Sequence, residues 1–201
     1  MKIHIGLVGE KGSGKETFVN FIKEIRSISN PNSPVAHFRF SDILGETLAM
    51  WGIEKTRENY QTLPQAMKHY FGDDVLSHAV KKRIMKSGIY RLSDVIILDG
   101  VRWREDVKML GTLENNILIY ITAEPKVRYE RIKNRNEKVG ENTTTFEQFQ
   151  MQELAKTEIL IPIIGKENAH LKIENNNTLK QFEKNVKIFY ETVIKNGNGK
   201  K

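Results

Sequence analysis

Gly9-Glu10-Lys11-Gly12-Ser13-Gly14-Lys15-Glu16-Thr17 follows an apolar run, Ile3 to Val8, and precedes an amphipathic pattern, Phe18 to Ile25. Strand, glycine-rich turn and helix is the setting that a phosphate-binding loop requires. The glycines let backbone N–H groups face phosphate oxygens, and the helix N-terminus adds partial positive charge. Lys15 is placed to reach the β- and γ-phosphates. The pattern calls for Ser or Thr directly after the lysine, to hold Mg²⁺. Here that position is Glu16, a hard oxygen ligand able to serve the metal directly or through water, and Thr17 follows within reach of an α-phosphate.

Working outward, Asp94 to Gly100 is the clearest strand. Four apolar residues, Val95 to Leu98, suit a parallel strand buried on both faces. It ends in Asp99, where an acid lies beside the metal in phosphate-loop enzymes. Further strands are expected near residues 3–8, 35–40, 117–122 and 171–174. Strands alternating with helices give an α/β layer around a parallel sheet. Gly9, Ser41, Asp99, Thr122 and Asn175 then all fall at or just after strand ends, where such sheets bind ligands.

Between the second and third strands, residues 41–88 read as a helical insertion. Ser41-Asp42 resembles a helix cap, with Ile43, Leu44, Leu48 and Trp51 on the apolar face and Gly52 at its end. A second helix spans Thr56 to Tyr70, interrupted near Pro64. A third runs from Val75 to Lys86, capped by Asp73. After Asp99, Val101 to Leu113 is helical. Pro125 opens a helix on which Arg128, Arg131 and Arg135 share one face by their spacing. A polar loop is expected over 137–144 and a helix from Thr145 to about Glu158. A long amphipathic helix follows from Leu179 to Ile194, then a frayed tail over 196–201.

The 201 residues suffice for one substantial core, and the absence of cysteine excludes a disulfide framework or thiolate metal site. With no signal-peptide pattern at the start and no run long enough to span a membrane, an intracellular, cytoplasmic setting without a membrane partner is expected. The net charge of +7 fits either a nucleic-acid surface or a cleft for a polyanionic nucleotide. The arginines near strand ends favour the cleft, and no aromatic–basic recognition pattern supports a nucleic-acid partner. The five histidines show no metal-ligand spacing and receive no role. Trp51 and Trp103 read as packing.

These motifs resemble the P-loop nucleoside monophosphate kinases, more narrowly the phage-type deoxynucleoside monophosphate kinases and the dephospho-CoA kinases. Gly14-Lys15-Glu16-Thr17 resembles the Gly-Lys-Asp-Thr of the phage-type enzymes. Phe40-Ser41-Asp42-Ile43-Leu44 resembles the segment that enters the acceptor site. Thr56-Arg57, Gln61 and Gly72-Asp73-Asp74 resemble the acceptor-binding insertion. Asp99-Gly100-Val101-Arg102 resembles the strand-end acid and the phosphate-clamping arginine. Arg128 through Arg135 resembles the lid, within 125–158, and Ile173-Glu174-Asn175 the loop beside adenine.

The resemblance implies a single three-layer domain over 1–201 with a five-stranded parallel sheet in order 2-3-1-4-5. It implies ATP as donor with Mg²⁺, and nucleotide substrates as partners. Gly9, Lys11, Gly12, Ser13, Gly14, Lys15, Glu16, Thr17 and Asn175 would hold ATP, and Glu16 and Asp99 the metal. Ser41, Asp42, Arg57, Gln61 and Arg102 would hold the acceptor. Lys15, Arg102, Arg128, Arg131, Arg135 and Asp42 would be catalytic, with Asp42 orienting or deprotonating the acceptor. A (deoxy)nucleoside monophosphate is the expected acceptor; dephospho-CoA kinase and a non-catalytic nucleotide switch are the alternatives. A homodimer is compatible with this reading.

Overall fold

The computed structural model describes residues 2–135 and 144–196. The loop expected over 137–144 thus lies outside the described residues except for Thr144, as do residues 197–201 of the tail. In chain order the first half comprises β1 (Ile3–Val8), α1 (Lys15–Ser29), β2 (Val35–Arg39), α2 (Phe40–Met50), α3 (Arg57–Phe71), α4 (Val75–Lys86), α5 (Gly88–Leu92) and β3 (Val95–Asp99). The second half comprises α6 (Arg104–Gly111), β4 (Asn116–Thr122), α7 (Pro125–Arg135), α8 (Phe146–Glu153), α9 (Leu160–Asn168), β5 (Leu171–Glu174) and α10 (Leu179–Phe189), which continues as a π-helical turn over Tyr190–Lys195.

All five strands are parallel and lie in the order β2-β3-β1-β4-β5. Side chains on the inner strands alternate between two cores. Ile3, Ile5 and Leu7 of β1, Val95 and Ile97 of β3 and Ile119 and Ile121 of β4 meet α1 and α10. Ile96, Leu98, Leu118 and Tyr120 meet α2, α4, α6 and α9 on the other face. Both faces of the sheet are therefore covered, which is what the unbroken apolar run of β3 requires. Each of its four fully buried aliphatic residues contributes about 1.5–3 kcal/mol relative to exposure.

Several boundaries differ from the sequence reading. α3 runs through Pro64 without interruption: Leu63 and Pro64 are buried, and packing against α2 and α4 outweighs the missing donor. α2 starts at Phe40, so Ser41 and Asp42 stand in its first turn and neither caps it. Trp51 is 58% exposed and contributes little packing. α4 is preceded by Asp74 rather than capped by Asp73. α6 begins only at Arg104, because the Asp106 carboxylate accepts the N–H groups of Arg102 and Trp103, each at 3.0 Å, with Trp103 extended at the N-cap. The helix from Thr145 stops at Glu153, a turn follows, and α9 forms where no helix was expected.

Candidate active site

The glycine-rich loop joins β1 to α1 as the sequence pattern requires. Gly14, at φ 104°, holds the left-handed conformation at the N-cap of α1, and a side chain there would strike the Asn175 amide. Gly9 runs so close to β4 that a Cβ would collide with the Ile121 carbonyl, and it would lie 2.8 Å from Ser13 Oγ. Glu10 is tied beneath the loop, accepting from Tyr120 Oη at 2.5 Å and Thr122 Oγ1 at 3.3 Å. Burial, reinforced by Glu10, pushes the Tyr120 hydroxyl up to about 12. Lys15 curls back over the loop and donates to the carbonyls of Gly9 (2.7 Å) and Glu10 (3.2 Å). Burial lowers its pKa, partly offset by Asp99. Thr17 stands half-buried on the first turn of α1.

A cavity of about 510 Å³ opens beside this loop. Lys11 and Lys15 of the loop and Asp99, Gly100 and Arg102 at and after the end of β3 line it. The end of β2 adds Arg39, and the insertion adds Ser41, Lys55, Arg57 and Gln61. Phe40, Leu44, Tyr60, Pro64, Leu76 and Trp103 provide apolar and aromatic surface. Trp103, read from sequence as packing, thus lines the cavity, with Lys68 Nζ 4.0 Å above its ring. Six cations surround the space, Lys11, Lys15, Arg39, Lys55, Arg57 and Arg102, against three carboxylates, Asp99, Asp106 and Glu158. Asp106 is occupied by the two N–H groups of the α6 cap and by Ser77 Oγ at 2.7 Å. Such a lining attracts an anion.

Asp99 ends β3 as expected and is almost fully buried. Burial works to raise its carboxyl, but His37, Lys15 and Arg39 together hold it below the ordinary carboxylate range. Oδ2 lies 3.4 Å from His37 Nε2 and 4.0 Å from Arg39 Nε, while Oδ1 is buried without a hydrogen-bond partner. That unpartnered oxygen suits one protein ligand of Mg²⁺, which takes one or two carboxylates together with substrate phosphates and water. No group of three metal-ligating side chains occurs among the described residues. Glu16, the second acid expected at the metal, is engaged otherwise: Oε1 accepts from Arg39 Nη2 at 2.5 Å.

The arginines assigned to phosphate divide into groups. Arg57 and Arg102 line the cavity; Arg57 donates to Gln152 Oε1 and Arg102 to Glu158 Oε1, each at 2.6 Å. Arg128 has a different place from the catalytic one expected. It is 4% exposed, forked onto Glu153 at 2.5 and 2.6 Å, and its Nε donates to the Ala123 carbonyl at 2.9 Å. Those bonds lock α7 to α8, and the side chain does not line the cavity. Arg131 points toward the loop through Asn175 Oδ1 (3.3 Å), with Nη1 buried and unpartnered. The Arg135 side chain lies outside what the structure describes.

Asn175 also departs from expectation. It is buried, and its amide donates to the Ser13 carbonyl at 2.9 Å while accepting from Arg131. The side chain braces the loop instead of reaching a base. Asp42 is half-buried and does not line the cavity, whereas its neighbour Ser41 does. Sequence reasoning missed His37, Arg39, Lys55, Tyr60 and Glu158. For the first two, the only sequence signal was polar residues at alternate positions of a buried strand.

No family model matches the chain. It is similar to UPF0200 proteins, at 26% identity with that of Hyperthermus butylicus over 77% of this chain and 76% of that protein. With the UPF0200 protein of Sulfurisphaera tokodaii the identity is 21% over 94% of this chain and 97% of that one. Among solved structures, TT1252 from Thermus thermophilus superimposes at TM-score 0.60 with 16% identity, over 95% of this chain and 98% of that one. Shikimate kinase from Acinetobacter baumannii gives TM-score 0.53 with 13% identity, over 96% of each chain. APS kinase from Mycobacterium tuberculosis gives TM-score 0.53 with 10% identity, over 95% of this chain and 98% of that one. The fold is that of the P-loop kinases.

Proposed function

We propose that this chain transfers the γ-phosphoryl group of ATP to a small phosphorylated acceptor, most simply a (deoxy)nucleoside monophosphate. The observation that carries the reading is the cavity that Lys15, Asp99, Arg102 and Arg57 line together, with an aromatic floor of Phe40, Tyr60 and Trp103. Guanidinium forks match phosphate oxygens, and the floor offers a surface for a flat ring. An acceptor phosphate oxygen attacks the γ-phosphorus as the bond to the β,γ-bridging oxygen breaks, and ADP departs. The acceptor oxygen is already ionised, so this transfer needs no general base. That fits a cavity in which Asp106 is committed to the α6 cap and Asp42 is absent from the lining.

The protein's work is positioning and charge neutralisation. Lys15 and the loop N–H groups hold the donor phosphates. Asp99 Oδ1 would hold Mg²⁺, which neutralises charge on the β- and γ-oxygens when bound. Arg57 and Arg102 take the acceptor phosphate, releasing Gln152 and Glu158. Arg131 lies outside the cavity lining, on Asn175, and would have to turn from that contact to meet the transferring group.

An ADP-release assay over a panel of nucleoside monophosphates, dephospho-CoA and hydroxyl acceptors tests this. Turnover with at least one monophosphate is expected. Activity with dephospho-CoA or another hydroxyl acceptor alone would refute it. ATP binding with no acceptor phosphorylated would favour a nucleotide switch.

A further inference from the structure

We infer that Glu16 does not serve the metal but fixes Arg39, and that Arg39, so fixed, contacts the acceptor's phosphate; this rests on the transfer reading given above. Arg39 is the last residue of β2, paired in register with Asp99 at the end of β3. Its side chain lines the cavity together with Lys15, Arg57 and Arg102. Nη2 donates to Glu16 Oε1 at 2.5 Å, and Nε lies 4.0 Å from Asp99 Oδ2. The Nε–Nη2 edge of the guanidinium therefore faces two acids. Nη1 bonds no acceptor among the described residues. The end of the fork, Nη1 and the second N–H of Nη2, is left for a ligand, and it is the end that matches two phosphate oxygens.

This division accounts for the departure in the loop motif. A serine or threonine hydroxyl after Lys15 would offer a metal ligand but no charge to hold a guanidinium. A carboxylate there anchors Arg39 by a charge-assisted bond. The oxygens around β3 are then allotted without conflict. Asp99 Oδ1 remains for the metal, Asp99 Oδ2 faces His37 and Arg39, and Glu16 Oε1 holds Arg39. A guanidinium bonded to Glu16 Oε1 repels a metal ion brought to the same carboxylate. Glu16 is thus a positioning residue, acting on the acceptor through Arg39.

Calorimetric titration with inorganic phosphate tests the pair in wild type, Glu16→Gln, Arg39→Ala, Arg39→Lys and Glu16→Gln/Arg39→Ala, each with and without saturating Mg·ADP. Arg39→Ala should weaken phosphate about tenfold or more, with Arg39→Lys in between, because lysine keeps the charge and loses the fork. Glu16→Gln should weaken phosphate about threefold or more, and the double variant should bind no worse than Arg39→Ala alone. The Mg²⁺ concentration that half-supports ADP binding should be unchanged in Glu16→Gln. Equal phosphate affinity in Arg39→Ala and wild type would overturn the inference. So would multiplicative losses in the double variant, or a raised Mg²⁺ requirement in Glu16→Gln with phosphate affinity intact. If Mg·ADP gives no heat with wild type, the transfer reading fails by itself. The phosphate curves recorded without nucleotide then still decide the role of Arg39.

Discussion

Arg128→Ala should cost stability before it costs chemistry. The Arg128 side chain is 5% exposed, and that of Glu153, which receives both forked bonds, is 23% exposed. Removing one partner of a buried pair costs about 3–5 kcal/mol. The carboxylate left behind is partly wet, which places this case near the lower end of that range. The Ala123 carbonyl also loses its donor at 2.9 Å, adding about 1 kcal/mol. The sum is about 4 kcal/mol. For a chain of this length each kcal/mol moves the melting temperature by about 2–4 °C, so a fall of about 8–16 °C is expected. Thermal melts followed by circular dichroism read this directly. Glu153→Ala should fall at least as far, because it strands the more deeply buried charge. The apolar pair Arg128→Met/Glu153→Leu should melt above either single variant, since the repulsive residue is the unpaired ion. If Arg128→Ala melts within about 2 °C of wild type yet loses transfer, Arg128 belongs to the chemistry and the structural argument is wrong.

Three further outcomes follow from the loop and from β3. Lys15→Ala should lower transfer at least about a hundredfold while changing the melt little, because among the described residues its ammonium donates only to two loop carbonyls; undiminished turnover would remove it from the donor site. Gly9→Ala should destabilise the fold by about 1–3 kcal/mol and abolish the heat of Mg·ATP binding, because the methyl meets the β4 backbone, which cannot yield; normal binding would mean that the loop approaches β4 less closely. Asp99 titrates below its ordinary value of 3.8, so its stabilising contribution is fully present above that pH and disappears as pH falls through the lower folded value. Urea unfolding should therefore show wild type more stable than Asp99→Asn at neutral pH, with the margin closing below about pH 3.8; a margin that persists in acid would contradict the assigned ionisation.

The parts of this molecule legible in the sequence are those set by neighbours along the chain. The loop announces itself because its glycines, lysine, preceding strand and following helix lie within one short stretch. β3 is legible because burial on both faces leaves an unbroken apolar run. Helical spacing placed Arg128 and Arg131 on one face of α7 but carried no information about what each meets. α9 was missed because Leu160-Ile-Pro-Ile-Ile-Gly is a poor helix by propensity. Pro162 is tolerated in the first turn, and burial of Ile161 and Ile164 outweighs the β-branched residues.

What stayed hidden is pairing between distant segments, and it decides which charges are open to a ligand. Arg57 meets Gln152 across 95 positions, Arg102 meets Glu158 across 56, and Arg128 meets Glu153 across 25. Arg39 meets Glu16 across 23, through a strand register that no local pattern specifies. A basic residue at a motif position is therefore a claim about location, and its partner decides the role. Arg57 and Arg102 face the cavity, with one guanidinium nitrogen each on an amide or carboxylate of the 152–158 stretch, so an anion can take that place. Arg128 is enclosed, with Nε and both Nη groups on protein acceptors, so a phosphate would have to break the α7–α8 junction to reach it. The same motif that counts three phosphate-binding arginines on α7 thus overcounts by at least one, while Arg39, which no motif marks, stands in the cavity with half its fork open.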